Sequence, residues 1–299
     1  MADPTSLLWI PATLAAAAAQ TARNAMQRHL TAVLGTVGAT AVRFVYGFPF
    51  GLALLALAAF LAGAAPPLPD AESLAWIAGG ALLQILATAL MLAAMRLKSF
   101  ALAVAYTKSE PVMVAIFGFV VLAERLPGMA LAGIAAATAG VIAMSGNPWR
   151  NGVDLRATLF GASAGAAFGL SAVCYRGGIL LLETPVFFLA ATTALAWALG
   201  LQATAMILWL RWRDPGTLAK IFAEWRKSLF AGGMGALASA GWFCGFALAP
   251  AALVRTLGLA EVVFSLLVGR NVFKQSLAAR EAWGLALMLA GVAAVLLAA

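Results

Sequence analysis

Ten long stretches of the chain carry almost no charged side chains, and their length constrains the fold more than any other feature. A helix that crosses the hydrocarbon core of a bilayer needs about 20 mainly apolar residues, and it must satisfy its backbone hydrogen bonds internally. The stretches cover roughly residues 5–22, 32–62, 73–95, 99–122, 127–146, 156–176, 185–210, 229–249, 251–269 and 282–299. The sequence therefore predicts an all-α integral membrane protein with ten transmembrane helices.

The composition excludes several soluble classes of protein. Only 10% of the 299 residues are charged, whereas a soluble domain carries about 25%. His29 is the one histidine, and Cys174 and Cys244 lie in separate apolar stretches, so we expect no metal site and no cofactor. The basic residues are spread between apolar segments and form no patch for nucleic acid. The expected partners are the lipid bilayer and a small-molecule substrate.

The longest connection, residues 211–227, has an amphipathic pattern. Leu218, Ile221, Phe222 and Trp225 follow one another at the spacing of a single helical face. This pattern predicts a short helix on the membrane surface. A plain loop is the alternative.

The two halves of the chain resemble each other. Residues 101–145 align without gaps with 252–296, and 13 of 45 positions are identical. The most informative identities are Glu110 with Glu261, Gly133 with Gly284 and Gly140 with Gly291. We predict two five-helix repeats, at 1–146 and 153–299. Because five is odd, the second repeat enters the membrane in the opposite sense, as in transporters whose substrate site lies near the midplane.

Four ionisable residues lie well inside apolar stretches, namely Arg43, Lys108, Glu110 and Glu261. Each costs about 2.5–3.5 kcal/mol there on insertion scales, so such residues mark functional sites by default. Arg43 or Lys108 suits a substrate carboxylate, and Glu110 or Glu261 suits an amine or a coupled proton. Alternatively, the glutamates neutralise basic neighbours or cap broken helices, and Arg43 forms a structural pair.

Other residues extend the predicted site. Pro111 removes a backbone hydrogen bond and should bend its helix. Arg255, near the end of its segment, should extend its charged head to the membrane surface. Further candidates for substrate binding are the polar and aromatic residues Tyr46, Gln84, Tyr106 and Trp242, with Gln20, Asn24 and Ser239 as weaker candidates for the cavity wall.

Three short motifs of the first half resemble the EamA repeat of the drug/metabolite transporter superfamily. They are Pro111-Val112, the turn Glu124-Arg125-Leu126 and Gly140-Val141. The second half matches with Glu261, Leu277 and Gly291-Val292, but has Val262 for the proline and Gln275 for the turn glutamate. Residues 19–24 depart from the family's signature in helix 1. The resemblance implies ten helices and export of amino acids, metabolites or drugs, often coupled to protons, with the YddG-like amino acid exporters as the subtype.

The distribution of basic residues predicts the orientation. Connections 1–2, 3–4, 5–6, 7–8 and 9–10 hold 14 basic residues, whereas the opposite side holds Arg125, Arg176 and Arg255. Basic connections stay in the cytoplasm, so this bias places both termini outside. The family pattern, with a cytoplasmic Glu-Arg-Leu turn, places them inside.

The preferred function is secondary active transport, and most simply export, of a small organic solute such as an amino acid or metabolite. We expect a non-enzymatic protein of the bacterial inner (plasma) membrane, for which a monomer suffices because both repeats lie in one chain. The alternatives are a membrane-embedded enzyme, which should carry an acidic or histidine-rich cluster, and a non-transporting receptor or scaffold, which has no need of charges near the midplane.

Overall fold

The computed structural model describes residues 7–97, 109–144, 155–273 and 279–299. Within these ranges the chain forms α-helices and no β-strand. The helices are α1 (Trp9–Val45), α2 (Gly47–Ala62), α3 (Ala71–Leu97), α4 (Glu110–Leu122), α5 (Gly128–Met144), α6 (Leu155–Leu180), α7 (Phe187–Arg213), α8 (Pro215–Ala223), α9 (Trp225–Leu248), α10 (Ala251–Leu257), α11 (Ala260–Phe273) and α12 (Ala279–Ala298). This agrees with the all-α class predicted from the sequence.

Six stretches of helix within the described residues are long and apolar enough to cross a membrane. They are Val33–Ala62, Ala71–Met91, Thr158–Leu180, Phe187–Arg213, Trp225–Leu248 and Ala279–Ala298. The helices α4 and α5 are apolar but shorter. The chain is therefore a multi-pass membrane protein, and the count of ten transmembrane helices stays a prediction.

The segment between the first two predicted spans is helical, whereas the sequence predicts a connection there. Helix continues through residues 23–31, which the sequence predicts as a connection, and it is interrupted only at Gly35. Gly35 has φ 68° and ψ 175°, a conformation that is essentially restricted to glycine. The break is therefore a single residue that lacks a Cβ atom.

The chain folds back around Gly35. Arg23 and Arg43 lie on either side of the break, and a straight helix would separate them by about 30 Å. Yet the Cδ of Arg23 and the Cγ of Arg43 lie 3.4 and 3.5 Å from the position that a Cβ of Gly235 would occupy. Both segments therefore pack against the same point of α9.

A second break divides the ninth predicted span. We expected one helix over 251–269, but α10 ends at Leu257 and α11 begins at Ala260. Gly258 and Leu259 form the short turn between them, and the amide of Glu261 donates to the carbonyl of Gly258 at 3.1 Å. The prediction of a continuous helix is wrong here because this turn closes the first helix and starts a new one.

The helices form two compact units. Unit 1 consists of residues 1–82 and 174–248, and unit 2 consists of 83–173 and 249–299. Each unit takes helices from both predicted repeats, so compactness and sequence similarity divide the chain in different ways.

In unit 2, α5 and α12 pack with their backbones in contact at glycine. A Cβ at Gly140 would lie 2.5 Å from the carbonyl oxygen of Gly284, and one at Gly284 would lie 2.6 Å from that of Gly140. Gly133 and Gly291 form a second pair, at 2.7 and 2.5 Å. Since the earlier glycine of each helix meets the later one of the other, the two helices are antiparallel.

In unit 1, α9 packs against α1 and α2 through three glycines. Gly241 lies against Ala12 and Ala16, and Gly235 lies against the stems of the two arginines. Gly232 lies against Tyr46, and a Cβ added at this glycine would be 2.5 Å from the Cβ of Tyr46. Such small residues let helices approach closely in lipid, where no hydrophobic force drives them together. Elsewhere in this unit the buried hydroxyl of Ser73 donates to the carbonyl of Gly178 at 2.9 Å, which ties α3 to α6.

The connection at 211–227 contains a short helix, α8, as the amphipathic pattern predicted. Asp214 caps it by accepting a hydrogen bond from the amide of Thr217 at 3.0 Å. The hydrogen bonds from Thr217 hold the pKa of the Asp214 carboxyl below its usual value. Ile221 is fully buried, whereas Phe222 and Trp225 remain exposed. These two aromatic side chains are available to lipid at the membrane surface.

The glycine contacts of unit 2 generate a stability prediction. Gly140→Ala places a Cβ 2.4 Å from the backbone nitrogen of Met288, and overpacking of this kind costs typically about 1–3 kcal/mol. The same substitution at Gly291 meets the nitrogen of Ala137, also at 2.4 Å, so both variants should lose several degrees of thermal stability in detergent. Gly128→Ala is the control, because nothing lies within 4 Å of its Cβ position. Melting of either interface variant at the wild-type temperature would contradict this packing.

Candidate functional site

Glu110 and Pro111 begin a helix. Glu110 is the first residue of α4, and Pro111 lies in its first turn. Proline is favoured at this position because the amides of the first turn have no partner within the helix. Because residues 98–108 lie outside the described ranges, the bend that we expect at Pro111 stays a prediction. The Glu110 carboxylate lies where the helix dipole stabilises a negative charge.

Glu110 forms an ion pair with Arg255 inside unit 2. The Nε of Arg255 lies 3.0 Å from the Oε1 of Glu110, and the side chains are only 13% and 19% exposed. The prediction that the head of Arg255 extends to the membrane surface is wrong, because a partly buried guanidinium is better satisfied by a neighbouring carboxylate than by distant water. Arg255 belongs to α10, so the pair joins the start of α4 to the helix that precedes the second break.

Glu261 has the same local position in the other half of the sequence. It lies in the first turn of α11, just after the break at Gly258 and Leu259, and it is 8% exposed. Both glutamates that the sequence repeat matches therefore lie at the beginning of a helix within unit 2. A carboxylate in the first turn of a helix lies where the helix dipole favours negative charge, and it is suited to contact a cationic group.

Unit 1 contains a second group of charged residues, formed by Arg23 and Arg43. Both stems cross the surface of α9 at Gly235. Arg23 is 7% exposed, and its Nη2 donates to Oδ1 of Asn24 at 2.8 Å. The guanidinium carbon of Arg43 lies 5.3 Å from the centre of the Phe44 ring. An amide oxygen and a ring face both orient a guanidinium.

Gln20 and Trp242 lie beside this arginine pair. The indole Nε1 of Trp242 donates to Oε1 of Gln20 at 3.2 Å. Gln20 precedes Arg23 by three residues, which places both on one face of α1. Trp242 follows Gly235 by seven residues, so it lies two turns further along the same face of α9.

The remaining predicted substrate-binding residues do not all lie in one unit, and two of them lie outside the described residues. Tyr46, in unit 1, donates from its hydroxyl to the carbonyl of Ile221 at 3.3 Å, which attaches α8 to the junction of α1 and α2. Gln84 is buried in α3 and belongs to unit 2. Tyr106 and Lys108 lie outside the described residues.

Two buried polar residues were not among our predicted binding residues. We assigned Arg23 to a connection, because the apolar stretch before it ends at residue 22. Its spacing of three from Gln20 was the signal that could have placed it on a buried face. Gln202 is 1% exposed and donates to the carbonyl of Ala81 at 3.3 Å and to the hydroxyl of Tyr175 at 3.2 Å. Nothing in its apolar surroundings in the sequence indicates these partners.

No group of three or more histidine, cysteine, aspartate or glutamate residues is placed to hold a metal ion in the described ranges. The arrangement instead offers two guanidiniums in unit 1 and two carboxylates at helix starts in unit 2. These groups can bind charged parts of a solute and carry a proton.

The pair of Glu110 and Arg255 generates a measurable coupling. In a double-mutant cycle of Glu110→Gln and Arg255→Gln we expect an interaction free energy of about 1–2 kcal/mol, because the pair is mostly withdrawn from water. The control cycle uses Glu224 and Lys227, which are 3.3 Å apart but 35% and 45% exposed, and should give less than about 0.5 kcal/mol. Thermal or denaturant unfolding in detergent provides the readout. Equal coupling in the two cycles would disprove the special role of burial.

Comparison with known proteins is consistent with this fold. A crystal structure superimposes on the chain with a TM-score of 0.73 at 19% sequence identity, covering 100% of this chain and 98% of that one. Identity this low shows the fold alone. A search of curated proteins found no match. Residues 7–146 match the model of the EamA-like transporter family, so the first half of the chain is similar to a family of transporters.

Proposed function

We propose that the protein is a secondary active transporter, most simply an exporter, of a small organic solute such as an amino acid or metabolite. The observation that carries the proposal is the placement of Glu110 and Glu261 at the starts of α4 and α11, with Arg255 paired to Glu110. Helices that begin within the membrane are typical of transporters, because their free backbone groups contact substrates and coupling ions.

We further propose that the chain consists of two inverted repeats of five helices, at 1–146 and 153–299. Gly133 and Gly284 are equivalent in the repeat, as are Gly140 and Gly291, and Gly133 meets Gly291 while Gly140 meets Gly284. Reciprocal contacts of this kind are what a two-fold axis between equivalent elements produces. They support the two-fold relation of the repeats. In the proposal, an alternating-access cycle moves the halves relative to each other within a monomer.

In this proposal the predicted residues have separate roles. Arg43 binds an anionic group of the solute, with Tyr46, Gln84, Tyr106, Lys108 and Trp242 as further binding residues. Glu110 and Glu261 carry the coupled proton or bind an amine. The ion pair with Arg255 supports the role of Glu110 as a group whose charge changes during the cycle. Protonation of Glu110 would break the salt bridge, and loss of the proton would restore it.

Transport in proteoliposomes tests the coupling. With labelled L-amino acids as probes and an imposed pH gradient, we expect gradient-driven accumulation by the wild type. Glu110→Gln or Glu261→Gln should reduce it at least about ten-fold while preserving exchange without a gradient, because the substituted amide cannot release a proton. Glu72→Gln is the control, since Glu72 also lies in the first turn of a helix but is exposed.

Full gradient-driven transport in both glutamate variants would disprove the coupling role. Failure of the wild type to move any L-amino acid would contradict the amino acid exporter and leave other metabolites as the next probes.

We also propose that both termini lie outside the plasma membrane. Arg23 is buried and Arg255 is paired with Glu110, so neither counts toward the charge of a connection. When Arg23 and Arg255 are left out of the count, one basic residue is lost from each side of the membrane. The large excess of basic residues on one side therefore remains.

Reporter fusions test this orientation. A fluorescent protein that folds only in the cytoplasm should stay dark when fused after Ala299, and alkaline phosphatase at the same site should be active. The same reporters inserted in the connection before α8, at Asp214, should give the opposite result. A fluorescent fusion after Ala299 would contradict the proposal and favour the family's cytoplasmic termini.

A further inference from the structure

We propose that the connection 211–227, with α8 at its centre, forms a binding surface for anionic phospholipid headgroups. The inference goes beyond the proposed function, because it concerns the lipid around the protein and not the solute that crosses it. The surface consists of exposed basic and aromatic side chains that all belong to unit 1.

The connection lies at one surface of the membrane and is attached to the rest of unit 1. Helices α7 and α9 are both long and apolar enough to span the bilayer, so the segment between them borders a single leaflet. Ile221 is fully buried, and its carbonyl accepts a hydrogen bond from the hydroxyl of Tyr46 at 3.3 Å. A Cβ at Gly38 of α1 would lie 2.9 Å from the Cγ2 of Thr217. The exposed side chains therefore project from a helix that is packed in place.

The connection carries a local excess of positive charge. It contains five basic and two acidic residues, which gives a formal charge of +3. The carboxylate of Asp214 accepts a hydrogen bond from the amide of Thr217, and that of Glu224 lies 3.3 Å from the Nζ of Lys227. Both acidic side chains are thus already engaged within the connection. Clusters of four or more basic residues beside a membrane helix attract anionic lipid, and the five here are all exposed, namely Arg211, Arg213, Lys220, Arg226 and Lys227.

Two of these cations lie where their own helix disfavours them. Arg226 and Lys227 are the second and third residues of α9, beside the positive end of the helix dipole. Glu224 offsets this cost in part through its ion pair with Lys227. A headgroup phosphate next to this turn would offset the remainder, because it places a negative charge beside both cations.

Tryptophan rings hold two of the guanidiniums at the depth of lipid phosphates. The guanidinium carbon of Arg213 lies 5.3 Å from the ring centre of Trp212, and that of Arg226 lies 5.4 Å from the ring centre of Trp225. Trp212 is 79% exposed and Trp225 is 50% exposed. Exposed tryptophans of membrane proteins lie at the headgroup level. Each ring therefore keeps its arginine where phosphate groups are.

This combination of charge and aromatic surface selects an anionic phospholipid. A guanidinium offers a planar set of donors that matches two phosphate oxygens. A zwitterionic headgroup adds a cation of its own, which the positive connection repels. A soluble anion has no apolar part to contact the exposed faces of Trp212, Trp225 and Phe222. A phospholipid with a net negative charge satisfies both kinds of group at once.

Lipid binding to the purified full-length protein in detergent tests the surface. Phosphatidylglycerol and phosphatidylcholine with the same acyl chains are titrated separately, and the bound lipid is counted by native mass spectrometry. We expect phosphatidylglycerol to bind saturably and at least about ten-fold more tightly than phosphatidylcholine, because several cations contribute to the attraction. High salt should reduce this preference by screening the exposed charges. An equal concentration of glycerol 3-phosphate, which lacks acyl chains, should not displace the lipid.

Two pairs of substitutions assign the preference to this surface. Arg213→Gln with Arg226→Gln should reduce the preference for phosphatidylglycerol at least about five-fold, because two cations at the headgroup level are lost. Trp212→Leu with Trp225→Leu retains every charge and should also reduce the preference, because the guanidiniums lose the rings that position them. All four side chains are exposed, so we expect both pairs to fold, and each pair tests the surface independently of the other.

The matched control is Arg125→Gln with Arg280→Gln. It removes the same total charge from exposed arginines outside the connection, and the preference for phosphatidylglycerol should stay at the wild-type value. An equal loss in this control would show that net charge alone attracts the lipid, and would overturn the inference.

Three further results would also overturn it. They are equal affinity of the wild type for the two lipids, an unchanged preference in both the arginine and the tryptophan pairs, and displacement of the lipid by glycerol 3-phosphate, which would identify a site for soluble anions. None of these results bears on solute transport, which the proteoliposome assay measures separately.

Discussion

Helix packing in both units depends on close approach at glycine, as where Gly133 and Gly140 on α5 meet Gly291 and Gly284 on α12 with backbone against backbone. Lipid tails are as apolar as leucine, so helices in a bilayer gain little from burying apolar side chains against each other. Dispersion contacts between backbones replace that force. The same device recurs in unit 1, where α9 uses Gly232, Gly235 and Gly241 to approach α1 and α2.

Close packing also decides where charge can be placed. Gly235 leaves room for the stems of Arg23 and Arg43, which in lipid would be costly. In unit 2 a glutamate lies in the first turn of α4 and another in the first turn of α11, where the helix dipole favours negative charge. Glycine contacts and the first turns of helices are thus the two kinds of position at which these ionisable residues lie.

The sequence predicted the helical elements well because long apolar stretches have no stable alternative in a membrane. The predicted spans 127–146 and 185–210 correspond closely to α5 and α7, and the amphipathic spacing around Ile221 correctly predicted α8. It predicted breaks less well. The turn at Gly258 and the reversal at Gly35 lie within apolar runs, and a single glycine gives no compositional signal that distinguishes a break from a packing contact.

The sequence by itself determined the solvent, the helical class, the internal similarity and the small set of embedded charges, because each follows from which residues a bilayer accepts and at what spacing. Only the tertiary structure decided which partners those charges have. It paired Arg255 with Glu110 rather than with the membrane surface, and it placed Arg23 in the interior of unit 1. The physical reason is that an ion pair, or a contact at one glycine, joins residues that are far apart in the chain. The local sequence shows that a charge lies in an apolar stretch, but it does not show which distant group stabilises that charge.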